Sequence, residues 1–571
     1  MFKSKMSRTM LLLTGLAFAL VMVGLAVSGN AAAAPRAQEG VDHSLFRQLA
    51  GPFEKPQEVT AACVTCHADA ATDVMATVHW TWEYTDPVTG QELGKNNVVN
   101  NYCIAIESNE LRCTSCHAGY GYADNTFDFE NHANVDCLVC HADTTVYKKF
   151  PAGSGMPWLG DEPKEFPGGS GRMWEKVDLV ASAQSVALPT RANCGSCHFL
   201  GGGDAVKHGD LDTTMGNPSP ELDVHMSPDT LDFTCAACHG GENHQVTGRI
   251  YTGEEPTACE DCHTGDNAPH ADSAMGEALT AHTENIACQT CHVPAFARGE
   301  ATKMSWDWST AGQKNEEGKP LVKKDENGHV VYDGQKGDFT YGENVTPYYT
   351  WWNGETRFLT GADTIDPSAP VMMTAYQGSR GDGKIYPFKY FTGKTPYDSG
   401  NNTMAIPNLF PNGEDPDAYW KAYDWNAAIA SGMEYAGYEY SGEYGFVDTV
   451  FMWVQNHQVA PAANAVQCQE CHTAEGGRLD FAALGFSDED VAKLTVFPPA
   501  ADEAMEEPAA EPTEEVAPVE AEPVQAEVEE APVEEAPAGL SGSSTLWIAL
   551  LVVLLLVAVS YFVMHGNKKE A

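Results

Sequence analysis

The chain has 571 residues, with 33 basic and 80 acidic side chains and a formal net charge of -47 at pH 7. A chain this acidic argues against nucleic acid as a partner, because the phosphate backbone carries charge of the same sign. The length allows one large or two ordinary domains.

The N-terminal segment, residues 1–34, has the order of features found in a secretory signal. Lys3, Lys5 and Arg8 precede the apolar run LLLTGLAFALVMVGLAV, and small residues, SGNAAAAP, follow it. This order predicts export, with cleavage after Ala33 or Ala34. An uncleaved N-terminal anchor is the alternative, because the apolar run is long.

The predicted body, residues 35–498, contains the motif CxxCH eight times. Two intervening residues place both thiols on one side of a heme, and the next histidine reaches the iron. Zinc sites more often pair two CxxC halves, and neither zinc nor a disulfide requires a histidine directly after the second cysteine. The sequence therefore predicts eight covalent heme c groups. The attachment cysteines are Cys63, Cys66, Cys113, Cys116, Cys137, Cys140, Cys194, Cys197, Cys235, Cys238, Cys259, Cys262, Cys288, Cys291, Cys468 and Cys471, and the motif histidines are His67, His117, His141, His198, His239, His263, His292 and His472.

The histidines outside the motifs are candidates for the second axial position. An electron-carrying heme has two strong axial ligands, whereas a catalytic heme keeps one position free or weakly held. His43, near the mature N-terminus, is a further candidate, and His329 in a charged turn reads as a surface residue. The count permits seven bis-histidine hemes and does not show whether the eighth differs. The principal candidates are His79, His132, His208, His225, His244, His270, His282 and His457.

A heme-free segment, residues 293–467, separates motifs seven and eight and is rich in aromatic residues. Stretches such as HVVYDG and DFTYG suggest hairpins that pack over the hemes. The heme-bearing parts are expected to be short helices and loops. The predicted fold is mainly α with long loops and a small β contribution, a multiheme cytochrome c body plus one C-terminal transmembrane helix.

The C-terminal part is predicted to attach the body to a membrane. Residues 499–544 are rich in Pro, Ala and Glu, with fourteen acidic residues and no Lys or Arg in 501–540, which indicates a disordered tether. Residues 545–564 are apolar and long enough to span a bilayer, and a tail, 565–571, carries Lys568 and Lys569. Positive residues stay cytoplasmic. We therefore expect a single-pass protein of the inner membrane with its body on the periplasmic side.

Cys103 belongs to no motif, although it lies ten residues before motif two. It could be a buried inert thiol, half of an intermolecular disulfide, or a thiol that reacts with a sulfur or nitrogen oxyanion near an iron. Lys148 and Lys149, after motif three, read as two surface lysines, but a neutral lysine amine can also bind iron when its pKa is lowered.

The arrangement of these motifs resembles the octaheme tetrathionate reductase family of periplasmic cytochromes c, over roughly residues 55–480. The shared features are eight CxxCH motifs, the short step between motifs two and three, DCLVCH followed by a lysine pair, and an Asn-x-x-Cys ahead of motif two. The resemblance implies seven bis-histidine hemes and an active site at the second heme. Carried over, Cys103 is the reactive cysteine, Asn100 its pocket partner and Lys148 the axial ligand, with Lys149 as the alternative. The acidic tether and C-terminal helix depart from the soluble family pattern.

The resemblance favours a reductase of tetrathionate, nitrite or hydroxylamine that binds a small oxyanion and receives electrons from a quinol-oxidising or cytochrome partner in the membrane. Arg112 or the spare lysine would offset the repulsion between the substrate and an acidic body. An electron carrier without substrate and a hydroxylamine oxidoreductase-like enzyme remain alternatives.

Overall fold

The computed structural model describes residues 41–199, 204–248, 255–265, 268–413 and 415–498. The predicted signal segment 1–34, the tether 499–544, the transmembrane helix 545–564 and the tail 565–571 lie outside these residues. Among the described helices, none combines the length and the apolar character needed to cross a bilayer.

Short helices carry the heme-attachment motifs, and each CxxCH motif overlaps one of them. One helical turn brings residues i and i+3 to the same face, as a pair of thioether links requires. In motif four, Thr190 caps the helix by accepting a hydrogen bond from the Asn193 amide. Among the described helices, the longest, Trp425–Ala436, has 12 residues and carries no motif. The α-helices are Pro56–Cys63, Ala70–Met75, Val78–Thr81, Glu110–Cys113, Cys137–His141, Leu179–Gln184, Arg191–His198, Ala236–His239, Cys259–Cys262, Gly276–His282, Cys288–His292, Tyr419–Ala422, Trp425–Ala436, Cys468–Cys471 and Asp488–Leu494.

Strands dominate the segment between motifs seven and eight, where nine of them form one mixed sheet. The described strands are β1 (Tyr84–Thr85), β2 (Glu92–Leu93), β3 (Lys164–Glu165), β4 (Met173–Trp174), β5 (Thr302–Asp307), β6 (Val322–Lys324), β7 (Val330–Asp333), β8 (Gly337–Gly342), β9 (Tyr348–Trp352), β10 (Thr356–Phe358), β11 (Val371–Met372), β12 (Thr374–Tyr376), β13 (Lys384–Asp398), β14 (Thr403–Met404) and β15 (Tyr444–Val454). The order of the large sheet is β11-β15-β13-β5-β8-β7-β6, with β9 and β14 also paired to β13. Three two-stranded sheets in the described residues, β1-β2, β3-β4 and β10-β12, lie outside it.

The prediction of a mainly α body with a small β contribution is wrong. The structure is 26% helix and 19% strand, and the large mixed sheet is its main regular element. The stretches HVVYDG and DFTYG do form the paired strands β7 and β8. The sheet is completed by pairings between distant segments, such as Thr392 of β13 with Ser305 of β5. Alternation within one strand indicates a strand, but it carries no signal for such remote partners.

The loop that carries Cys103 is anchored in the core of this sheet. Tyr102 is fully buried, and its ring lies 4.4 Å from the ring of Phe391 on β13. The Tyr102 hydroxyl accepts a hydrogen bond from Trp453 Nε1 at 2.7 Å, and the Tyr102 carbonyl accepts one from Trp308 Nε1 at 3.0 Å. The heme-free segment therefore sets the position of a loop that lies beside the second attachment motif.

Candidate heme-iron sites

Seven of the eight motif histidines face a second histidine across a uniform gap. In all seven pairs the ring centroids lie 6.0 to 6.3 Å apart. An iron held by two imidazoles needs such a gap, because each metal–nitrogen bond is about 2 Å long and each ring centre lies beyond its nitrogen. The residues therefore fit heme c with bis-histidine ligation. The pairs are His43–His67, His79–His198, His141–His244, His225–His263, His239–His457, His270–His292 and His282–His472.

The structure brings six of the eight principal candidates opposite a motif histidine and leaves two elsewhere. His132 lies exposed in the 3-10 turn His132–Asn134, and the His208 ring packs on Trp453 with a centroid distance of 4.3 Å. Neither faces a motif histidine within the described part of the chain. The seventh partner is His43, which faces His67. Closeness to the chain terminus gave no reason to rank it among the principal candidates.

Carbonyl or carboxylate groups orient several of the paired imidazoles through Nδ1. His141 Nδ1 lies 2.8 Å from the Ala187 carbonyl, and His472 Nδ1 lies 2.8 Å from the Leu494 carbonyl. His457 differs, since its Nδ1 lies 3.2 Å from Oδ2 of the fully buried carboxylate Asp210. A carboxylate on the outer nitrogen makes an imidazole a stronger donor to a metal than a carbonyl does.

The motif-two histidine, His117, has no histidine partner among the described residues. Its Nε2 lies 2.6 Å from the Trp80 carbonyl oxygen, so this nitrogen carries the proton and donates it. Burial lowers the pKa of His117 to about 3, although the Trp80 carbonyl opposes the shift. The ring is fully buried and surrounded by aromatic rings at centroid distances of 5.2 to 5.4 Å. These rings belong to Trp80, Trp82, Tyr122 and Phe127.

Lys149 points inward beside this motif, whereas Lys148 is exposed. The Lys149 ammonium donates to the carbonyl of His117 and lies 3.4 Å from that of Gly119. It also forms an ion pair at 3.1 Å with Asp136, and the two side chains are 7% and 0% exposed. The resemblance gave Lys148 as the ligand and Lys149 as the alternative; the structure brings Lys149, not Lys148, to the second site.

The Cys103 loop places an exposed thiol near the Cys113 attachment point. Asn100 shapes the loop through two hydrogen bonds. Its side-chain Oδ1 accepts a hydrogen bond from the backbone N–H of Tyr102 at 3.0 Å, and its backbone N–H donates one to the Ile104 carbonyl at 2.8 Å. Ile104 has a φ of +71°, an outlier for a β-branched residue. Cys103 and Cys113 lie close enough for their sulfur atoms to interact. Asn100 therefore positions the loop by hydrogen bonds to the backbone groups of Tyr102 and Ile104.

Lysines that the sequence did not single out surround this thiol. Burial, followed by the charge of Lys95, lowers the pKa of Lys207, while Cys103 acts in the opposite direction. Burial also lowers the pKa of Lys303 to about 7, with Cys103 again acting in the opposite direction. Arg112, the cation proposed from the sequence, donates instead to the Pro151 carbonyl at 2.7 Å. No local motif marks Lys207 or Lys303, because the fold brings them to the thiol.

Attachment thiols of different motifs lie beside one another through the body. Four pairs lie close together and join motifs one with three, two with four, four with five, and six with seven: Cys63–Cys137, Cys116–Cys197, Cys194–Cys235 and Cys259–Cys288. Further neighbouring pairs join motifs three with four, five with six, and seven with eight: Cys140–Cys194, Cys238–Cys262, Cys291–Cys468 and Cys291–Cys471. The grouping of Cys259, Glu260 and Cys288 belongs to this chain of attachment points. The sites run in the order one, three, four, five, six, seven and eight, with site two beside site four.

A chain that sets seven motif histidines opposite a second imidazole is a multiheme c-type cytochrome. The family model for bacterial cytochrome c matches residues 303–475. The octaheme cytochrome c from Shewanella oneidensis is 42% identical, with a TM-score of 0.69, over 79% of this chain and 97% of that one. An uncharacterized protein of Archaeoglobus fulgidus is 26% identical over 247 residues, covering 36% of this chain and 80% of that protein. The chain belongs to the octaheme cytochromes c, which confirms the octaheme resemblance drawn from its motifs.

Proposed function

We propose that this octaheme cytochrome c is a reductase of tetrathionate or related sulfur and nitrogen oxyanions, with the substrate at the second heme. The observation that carries the proposal is the setting of His117, whose Nε2 bonds to the Trp80 carbonyl instead of facing a second imidazole. Two imidazoles suit a heme to electron transfer, whereas a site without that pair has room for a substrate.

Lys149 is the amine that the proposal assigns to this iron, in place of Lys148. An ammonium must lose a proton before its nitrogen can bind a metal. The carboxylate of Asp136, whose Oδ2 lies 3.1 Å from the Lys149 nitrogen, is placed to accept that proton. The bound heme would supply one-electron transfer at its iron.

Cys103 is the residue proposed to react with a sulfur substrate. Its thiolate attacks an inner sulfur of tetrathionate, forming a cysteine–thiosulfate mixed disulfide and releasing one thiosulfate. Two electrons then cleave the new S–S bond, which frees the second thiosulfate and restores the thiolate. No net proton is consumed, and the nearby ammonium groups of Lys207 and Lys303 offset the negative charge of the substrate.

A Cys103→Ser variant tests the proposal, with reduced viologen dye as the electron source and tetrathionate as the oxidant. We expect turnover to be lost, while heme content and the spectra of the seven bis-histidine sites stay unchanged. Turnover equal to that of the parent would remove Cys103 from the mechanism. An oxidised protein in which all eight hemes are low-spin bis-histidine would instead favour an electron carrier.

The location and electron partner are part of the same proposal. Heme attachment and the predicted export signal favour an extracytoplasmic body, served by a membrane quinol-oxidising protein or cytochrome. Electrons would enter at a terminal site of the chain, one or eight, and pass through site four to site two. Recovery of the mature protein in the cytoplasmic fraction would contradict this location. Membrane attachment through residues 545–564 remains a prediction from sequence.

A further inference from the structure

A hollow of about 550 Å³ lies between the sheet and the turn 204–208. Strands β5, β7 and β8 contribute to its lining through residues such as Lys303, Asp333 and Phe339, and Val206 contributes from the turn. The space is large enough for a tetrathionate-sized ion, and it is not one of the seven imidazole gaps.

The Lys303 side chain in this hollow packs against aromatic rings and not against a carboxylate. Its ammonium lies 3.4 Å from the ring centroid of Phe339 and 4.6 Å from that of Trp306. No carboxylate within the described residues forms an ion pair with it, because nearby Asp333 pairs with Lys336 at 2.7 Å. Aromatic faces stabilise a lysine cation without neutralising it. Lys303 therefore has no carboxylate partner that would compete with an anion, and a bound anion would favour its charged form.

The hollow is connected to the second heme site by the residues on its wall. Lys303 and Cys103 are near enough for their charges to interact. On the other wall, Val206 precedes Lys207, whose ammonium lies 5.8 Å from the ring centroid of Tyr102, the residue next to Cys103. Lys389 joins the two walls, because its ammonium donates to the Val206 carbonyl at 3.0 Å and to Thr302 Oγ1 at 2.7 Å.

The hollow also contains acidic side chains, which bear on how it could bind an anion. Glu300, Asp333 and Glu343 also line it, and they would repel an anion. Lys336 offsets Asp333 in an ion pair that leaves little charge for a ligand. Attraction of an anion into the hollow therefore depends on Lys303, which forms no ion pair with a carboxylate in the described residues.

We propose that this hollow is the entry vestibule for anionic substrates of the second heme, and that Lys303 selects them by charge. The inference rests on the proposed function, since it concerns the route to the same site. Lys303 is a specificity-determining residue here; the reaction with sulfur stays with Cys103.

Equilibrium binding of tetrathionate to the oxidised holoprotein, measured by calorimetry, tests the vestibule without turnover. Every protein in this measurement also carries Cys103→Ser, so that no thiolate attacks the bound ion, and wild type here means the protein with Lys303 intact. For Lys303→Gln we expect Kd to rise about tenfold, the effect of losing one contact to a charged group. Lys303→Arg should keep the wild-type Kd, since it restores the cation. Lys324→Gln is the matched control, because Lys324 is an exposed lysine of the same sheet that does not line the hollow, and its Kd should stay close to that of wild type.

The outcomes separate this inference from the proposed function. Equal binding by wild type and Lys303→Gln, or no binding by wild type, would overturn the vestibule. Binding that depends on Lys303, together with no tetrathionate reduction by the protein that retains Cys103, would support the vestibule as an anion site and overturn the reductase. A second readout uses charge: KM for nitrite should rise in Lys303→Gln, and KM for neutral hydroxylamine should not.

Discussion

The second attachment site and the other seven use the same motif in opposite ways. In sites such as that of His239, the motif imidazole faces another imidazole across a gap that fits one iron. At the second site, aromatic rings enclose His117, and the Trp80 carbonyl occupies its Nε2. The comparison shows that the motif fixes where a heme is attached, whereas the surroundings of its histidine decide what the heme can do.

Replacement of Lys149 should have the largest effect on this difference. Lys149→Met removes the proposed amine and leaves Asp136 buried without its cation, so we expect loss of turnover and a destabilisation of about 3 kcal/mol or more. Turnover assays, electron paramagnetic resonance and denaturant unfolding measure these effects. The matched control is Lys148→Met, because Lys148 is exposed one residue earlier. If Lys148→Met is the variant that loses activity, the assignment is reversed.

Removal of one distal histidine should make a bis-histidine site resemble the second site. His43→Ala takes away the partner of His67, so we expect one heme to become high-spin in the oxidised absorption and resonance spectra. His132→Ala should leave all hemes as they are, because His132 faces no motif histidine in the described structure. A high-spin signal from His132→Ala but not from His43→Ala would contradict the pairing.

The reduction potentials of the bis-histidine hemes should differ according to the group that hydrogen-bonds to Nδ1 of an axial histidine. Asp210→Asn replaces the carboxylate at His457 Nδ1 by a neutral amide. Because the imidazole then donates less electron density to the iron, the iron should be easier to reduce. We expect one midpoint potential to rise by roughly 60 mV, the equivalent of a tenfold change in a one-electron equilibrium. Spectropotentiometric titration resolves the change, and identical titration curves would show that Asp210 does not tune this site.

The smallest expected effect concerns the anchor of the Cys103 loop. Tyr102→Phe leaves the Trp453 indole N–H without its acceptor, which should lower the free energy of unfolding by about 1 to 3 kcal/mol. Chemical denaturation measures this loss. Tyr440→Phe is the control, because the Tyr440 hydroxyl bonds to Asn426 in an exposed setting. Equal stability of both variants would show that the buried hydrogen bond does not hold the loop.

The sequence by itself determined where the hemes attach and that one cysteine has no place among them. Both follow from covalent spacing, since CxxCH forms its site within five neighbouring residues. Counting the histidines outside the motifs also produced eight principal distal candidates, and the structure sets six of them opposite motif histidines. It did not separate His43 from His132, or Lys149 from Lys148, because these choices depend on which side chain the folded chain turns inward.

Only the tertiary structure decided the large sheet and the surroundings of the second site. Strand β13 pairs with β5 and β15, and those contacts join segments that are far apart in the chain. The same long-range packing buries Tyr102 against Phe391 and brings Lys303 to Cys103. Attachment is a local covalent property that can be read along the chain. Selectivity is a property of residues that become neighbours through burial and strand pairing, and these leave no local pattern.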